Sequence, residues 1–214
     1  MVSQHGKMFQ EPNGLPPKRR IQHEIQLQQD VPLPNIGMYR MSIMESLEIK
    51  KKIQEFINTG IIHPSTSPCG SSIVLVPKKD GTWHMCIDFG AMNKITVNNR
   101  YPLPCIDYFL DQLKYERYFT KLDLQSGYHQ VRIVEEDIWK TAFKTKQGLF
   151  EWLVMPFGFT NAPTTFMRVM NNFLRPFLDE FFIVYLDDIL IFRKSRNEHV
   201  MHVNKVLDVL KKEQ

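Results

Sequence analysis

Ile49, Ile53, Phe56 and Ile57 fall at i, i+4, i+7 and i+8, behind Ser42-Ile-Met-Glu45 and ahead of Gly60. A Ser followed three residues later by Glu is a capping box, and Gly is a common helix stop. The pattern therefore predicts an amphipathic helix over 43–59. Two apolar runs, Ser71–Pro77 and His84–Phe89, flank Lys78-Lys-Asp-Gly-Thr82 and predict a β-hairpin with a basic tip. A short helix is expected over 104–113, with Ile106, Phe109, Leu110 and Leu113 inward, then a strand over 118–124 that contains Asp123. Thr141–Thr145 and Leu149–Met155 read as a second hairpin around Gln147-Gly148. Phe166, Val169, Met170, Phe173, Leu174 and Phe177 form the stripe of a long helix over 161–178, with Pro163 in its first turn. Phe181–Tyr185 and Ile189–Phe192 read as strands around Leu186-Asp187-Asp188. Ser195-Arg-Asn-Glu198 reads as a second capping box, opening a helix with Val203, Val206, Leu207 and Leu210 inward. Strands joined by hairpins and mixed with helices point to an α+β fold with an antiparallel sheet.

Residues 1–40 carry Pro12, Pro16, Pro17, Pro32 and Pro34 without helical or strand period, and are expected to form an extended arm. The 214 residues are 43% hydrophobic and 12% aromatic, which excludes a disordered tail. The longest apolar run, Phe181–Leu186, is far short of the roughly 20 residues of a membrane helix, so no membrane association is expected. The N-terminus has no secretory pattern. Cys69, Cys86 and Cys105 form no CxxC pair. They read as reduced packing thiols in an intracellular compartment, cytoplasmic or nuclear. A net charge of +4 permits a polyanionic partner without demonstrating one.

Asp187 and Asp188 are adjacent carboxylates between apolar strands. Burial would set like charges against each other, a cost that a divalent cation removes and that hard oxygen ligands suit. The alternative is that they serve only as turn residues. Asp123 ends an apolar strand and can meet the pair if the strands are neighbours. Three carboxylates would then hold two metal ions, as in polymerases and nucleases. A local cap for the turn at Gln125–Tyr128 is the alternative for Asp123.

The strings Gly14-Leu-Pro-Pro-Lys18, Cys86-Ile-Asp-Phe89, Leu122-Asp-Leu-Gln-Ser-Gly-Tyr-His-Gln130, Lys140-Thr-Ala-Phe143, Met155-Pro-Phe-Gly158, Thr160-Asn-Ala-Pro163 and Tyr185-Leu-Asp-Asp188 follow one another in this order. Together they resemble the reverse transcriptase domain of gypsy-class LTR retrotransposon Pol polyproteins, from Gly14 to the C-terminus. The resemblance implies a right-hand polymerase fold without its thumb, with fingers over 41–105 and part of 130–160. The palm would span 106–129 and 160–214, its antiparallel sheet backed by helices. It implies RNA-directed DNA polymerase activity from dNTPs on an RNA or DNA template with primer, using two Mg²⁺ ions, with Mn²⁺ as an alternative. Asp123, Asp187 and Asp188 would hold the metals, the first two as main ligands, with the Leu124 carbonyl adding another. Lys78, His84, Ser126, Gly127, Tyr128 and Phe157 would contact the dNTP. Tyr128 would be the gate against a ribose 2′-hydroxyl, unless it is a core aromatic, and Lys78 either reaches phosphate or is a solvated turn lysine. Gly158 and Tyr185 would face template or primer.

His84 stands where relatives usually carry an arginine, and an imidazole cannot make a guanidinium's bidentate phosphate contact. Gly90 replaces a second usual arginine, Cys69 a common large aromatic, and Trp139 a proline or small residue. The carboxylates are intact while phosphate-binding arginines are not, a pattern that fits a decayed copy as well as a working enzyme. The chain is expected to be part of a longer polyprotein that supplies thumb, connection and RNase H regions. A non-catalytic nucleic-acid-binding remnant is the alternative from another class. An RNA-dependent RNA polymerase is a third reading, opposed by Tyr128.

Overall fold

The computed structural model describes residues 14–77, 81, 83–102, 106–124, 126–177 and 180–213. In chain order the elements are α1 (Ile43–Asn58), β1 (Ile62–Pro64), β2 (Ser72–Pro77), β3 (Trp83–Asp88), α2 (Gly90–Ile95), α3 (Ile106–Leu113) and β4 (Tyr118–Asp123). There follow β5 (Phe143–Thr145), β6 (Gly148–Trp152), α4 (Ala162–Phe173), β7 (Phe182–Tyr185), β8 (Asp188–Arg193) and α5 (Arg196–Lys212). All strand pairs are antiparallel, in sheets ordered β1-β6-β5, β2-β3 and β4-β8-β7. The chain divides into two compact units, 100–127 with 163–213 and 14–99 with 128–162.

In the first unit β8 is the central strand. Ile189 and Ile191, alternate residues on one face, are fully buried. On that same face Thr120 shares a hydrogen bond of 2.7 Å with His199 of α5. The helix thus docks through His199, His202, Val203, Val206 and Leu207, all buried. His202 stacks on Phe181 at 3.9 Å and accepts from Arg193 Nε at 3.1 Å. The two histidines were not expected in the buried stripe. Ser195 is the N-cap of α5 but its side chain makes no capping bond, so the second capping box is not formed. Leu110 is 60% exposed, not inward. The helix expected over 161–178 stops at Phe173 and gives way to a 3₁₀ turn, Arg175–Phe177. Pro176 explains the break, because it lacks the N–H an α-helix needs there.

In the second unit the first capping box is complete. Ser42 N–H donates to Glu45 Oε2 at 2.7 Å and Glu45 N–H to Ser42 Oγ at 3.2 Å. Ile49 and Ile53 are the buried positions of α1. The basic hairpin pairs from Ser72↔Asp88 to Pro77↔Trp83. The second hairpin is shorter than expected, since Thr141 belongs to a 3₁₀ helix, Glu135–Thr141. Its hydroxyl instead accepts from Trp152 N–H at 2.8 Å. The proline-rich segment is tied into this unit. His23 N–H donates to Arg132 O and Gln28 N–H to Ile95 O, both at 2.8 Å. Ile25 N–H donates to Asp137 Oδ2 at 2.6 Å, and Lys140 Nζ donates to Ile25 O at 2.6 Å. Strand β1 and helix α2 were not anticipated. Three residues are too few to show a period, and Gly90-Ala-Met-Asn-Lys-Ile95 has no side-chain cap.

Candidate active site

The carboxylates belong to the first unit, where strand register assembles them. Asp123, the last residue of β4, pairs with Asp188, the first of β8, and Tyr185 of β7 pairs with the same Asp188. Directly opposed residues share a face, so Asp123, Asp188 and Tyr185 stand on the face opposite α5. Asp187 occupies the two-residue β7–β8 connection beside Leu186. Leu124 N–H donates to the Asp187 carbonyl at 3.0 Å, which ties the end of β4 to the hairpin tip. Leu186 has φ 55 and Ser126 has φ 51. Gly is the usual occupant of a first hairpin position with positive φ. A Leu held there costs about 1–3 kcal/mol, and such strain concentrates at functional sites.

Lys121, on the same face as Asp123, places its ammonium 2.9 Å from Asp188 Oδ2. Its pKa is raised, first by that hydrogen bond and the charge of Asp188, with further contributions from Asp123 and Asp187. The contact is with Asp188, while Asp123 and Asp187 act on the ammonium at longer range. Among the described residues no three His, Cys, Asp or Glu side chains are gathered as a metal-holding group. Mg²⁺ asks for less, taking one or two carboxylates and completing its shell with water and substrate phosphate. The hard oxygen donors present fit that ion.

The other expected contacts are distributed. The Gly127 amide, expected at a phosphate, donates to the Leu124 carbonyl at 2.9 Å and so is engaged in the turn. That bond also occupies one lone pair of the carbonyl expected to ligate metal. A Cβ on Gly127 would stand 3.1 Å from the Phe166 ring, a close approach that a larger residue could make only if the ring shifted. Ser126 is exposed beside it. Tyr185 is 42% exposed, with Phe109 edge-on at 6.5 Å.

In the second unit, Tyr128 is 7% exposed and meets Phe157 edge to face at 4.5 Å. Phe157 is itself half-exposed, and Gly158 has φ 101. A Cβ at Gly158 would meet Ile87 O at 3.3 Å. His84 is exposed on β3, opposite Val76. Lys78 lies outside the described residues. Phe89 is buried and stacks on Phe159 at 4.1 Å, a packing role. Trp139 has the Lys140 ammonium 5.5 Å from its ring. Lys121 was missed by sequence reasoning. Its signal was available, since residue i−2 of a strand shares the face of residue i.

The sequence profile described as reverse transcriptase (RNA-dependent DNA polymerase) matches residues 76–214, well over half of the chain. The chain belongs to the reverse transcriptase family. Its relatives include the retrovirus-related Pol polyprotein from transposon 297 of Drosophila melanogaster, 44% identical over 177 residues and 80% of this chain. The transposon Tf2-3 polyprotein of Schizosaccharomyces pombe is 37% identical over 195 residues, 91% of this chain. This reverse transcriptase chain spans 17% and 15% of those two polyproteins. A foamy viral protease-reverse transcriptase in complex with dsDNA has the same fold, with a TM-score of 0.87 at 25% identity over 99% of this chain and 44% of that one. The fold is thus the fingers-and-palm polymerase fold, and the family as a whole depends on divalent metals.

Proposed function

We propose that this chain is the fingers and palm of an RNA-directed DNA polymerase of a retrotransposon Pol polyprotein. The first unit would be the palm and the second the fingers, with 14–40 built into the fingers. The observation that carries the reading is the β4–β8–β7 register, which pairs Asp123 with Asp188 and ties Leu124 to Asp187.

Asp123 and Asp187 would hold two Mg²⁺ ions, with Asp188 beside them and the free lone pair of the Leu124 carbonyl as a further donor. When bound, these ions lower the cost of charge on the attacking and departing oxygens. The primer 3′-hydroxyl oxygen would form the new bond at the α-phosphorus as the bond to pyrophosphate breaks, with the hydroxyl proton passing to solvent. No protein nucleophile is needed. The exposed Tyr185 ring would lie along the primer end and Gly158 along the template. Tyr128, with its ring braced by Phe157, would refuse a ribose 2′-hydroxyl. Ser126 would offer a backbone amide to the triphosphate, and Lys78 and His84 their side chains.

The test is thermal unfolding with and without Mg²⁺. Wild type should gain stability with the ion, and Asp187→Asn should lose most of that gain. A melting curve indifferent to Mg²⁺ in the wild type would overturn the metal site. A remnant that binds nucleic acid without catalysis is the second reading, favoured by His84 and Gly90 standing in place of arginines. It predicts salt-sensitive binding to a template–primer duplex with no extension when dNTPs are added.

A further inference from the structure

Asn93, on α2, brackets the loop 157–160 with one side chain. Its Nδ2 donates to the Gly158 carbonyl at 2.7 Å, and its Oδ1 accepts from Thr160 N–H at 3.0 Å. Asn161 reaches back along the same path. Its Nδ2 donates to the Val97 carbonyl at 2.8 Å and its Oδ1 accepts from Asn99 N–H at 2.9 Å. Two amides thus stitch α2 and the segment after it to one loop by four bonds. Each uses the amide donor and the carbonyl acceptor of one Asn side chain. Between the stitches, Phe159 is stacked on Phe89, and a Cβ on Gly158 would meet Ile87 O at 3.3 Å.

Within the locked loop only Phe159 is buried, and the positions on either side of it face solvent. Phe157 is 45% exposed, and Gly158 and Thr160 are exposed as well. Fixing a solvent-facing loop adds little to a hydrophobic core, so the geometry serves what the loop presents. That is the Phe157 ring, 4.5 Å from Tyr128 at an interplanar angle of 81°.

We propose that Asn93 and Asn161 are positioning residues that hold Phe157 against Tyr128, so that selection of dNTP over rNTP depends on this pair. The inference rests on the reading of Tyr128 as the sugar gate. A loop free to shift would let the Tyr128 ring tilt away and admit the 2′-hydroxyl.

The experiment is calorimetric titration of the 214-residue chain with dATP and with ATP, in Mg²⁺ and a DNA template–primer. It compares wild type, Asn93→Asp, Asn93→Ser and Tyr128→Val. Asn93→Asp keeps the acceptor for Thr160 and sets a carboxylate against the Gly158 carbonyl. Asn93→Ser removes the bracket without adding charge, and covers the case in which Asn93→Asp does not fold. One lost loop bond is worth about tenfold in the discrimination it supports. Binding of ATP should strengthen about tenfold in the Asn93 variants and that of dATP change by less than about twofold. The dATP/ATP preference should therefore fall roughly fivefold or more, with the same direction in Tyr128→Val. Equal losses for the two nucleotides, or an unchanged preference, in folded Asn93 variants would overturn the positioning role. An unchanged preference in Tyr128→Val alone would overturn the gate itself. A wild type that binds neither nucleotide would overturn both.

Discussion

Asp137→Ala should be among the most destabilising single changes in the second unit. The Asp137 and Lys140 side chains are only 12% and 14% exposed, and both clasp the backbone of Ile25. Removing the carboxylate leaves a buried ammonium without its counter-charge and the Ile25 N–H without its acceptor. Breaking a buried pair costs about 3–5 kcal/mol, and an orphaned buried donor about 1–3 kcal/mol. The two overlap, and Lys140 keeps the Ile25 carbonyl, so about 3 kcal/mol is expected. Asp137→Asn, which retains an acceptor, should cost less. Asp137→Ala with Lys140→Met removes both charges and should be at least about 1 kcal/mol more stable than the sum of the single costs. Trp83, Trp139 and Trp152 are the three tryptophans and all lie in this unit, so urea unfolding followed by their fluorescence reports it alone. A loss below about 1 kcal/mol for Asp137→Ala, or strict additivity in the double variant, would refute the clasp.

Burial lowers the pKa of His23 and of His129 to about 4. Below the ordinary value of about 6.5 the unfolded chain therefore takes up protons that the folded chain refuses. Stability should be complete above that pH and fall by roughly 1.4 kcal/mol per pH unit per histidine down to about pH 4; a flat profile in fluorescence-detected unfolding would contradict it. Lys121→Met should tighten the apparent Mg²⁺ affinity by about two- to fivefold, the scale of an exposed ion pair, read as the metal midpoint of the melting shift. An unchanged midpoint would show that the ammonium does not compete. His84→Arg should strengthen dNTP binding by about tenfold if residue 84 reaches the phosphates. No gain in the same titration would place it elsewhere.

Much of the fold was legible because its signals are local. The Ser42–Glu45 box, the Ile49/Ile53 spacing and the alternation around Asp187-Asp188 each lie within a few residues of one another. What failed was not decided by such local patterns alone. Ser195 and Glu198 carry the letters of a capping box, yet the hydroxyl finds no amide. Leu110 has the spacing of an inward residue and is exposed. The segment 14–40, aperiodic as a string, is held by groups more than 100 residues away, among them Asp137 and Lys140. No local pattern announces such partners. His199 and His202 could be placed on the buried stripe of α5 by period alone. Their partners, Thr120 and Arg193, follow only once β4 is paired with β8.

The candidate site was legible for a different reason. Its carboxylates stand exposed or half-buried at one end of a sheet, and the chain around them breaks local rules at the same place. Leu186 takes a backbone angle that favours glycine, Ser126 does likewise, and a lysine is held against an aspartate on an exposed strand face. Each departure is small. Their convergence within one hairpin and its neighbouring strand end is not what selection for stability alone would leave, since Gly at 186 would relieve the strain. The register does the assembling. A slip of one residue between β4 and β8 would turn Asp123 to the face covered by α5, where no cation could reach it. The apolar alternation of Ile189 and Ile191 that buries one face therefore also fixes the acidic residues on the other. Packing and chemistry here are set by the same two-residue period.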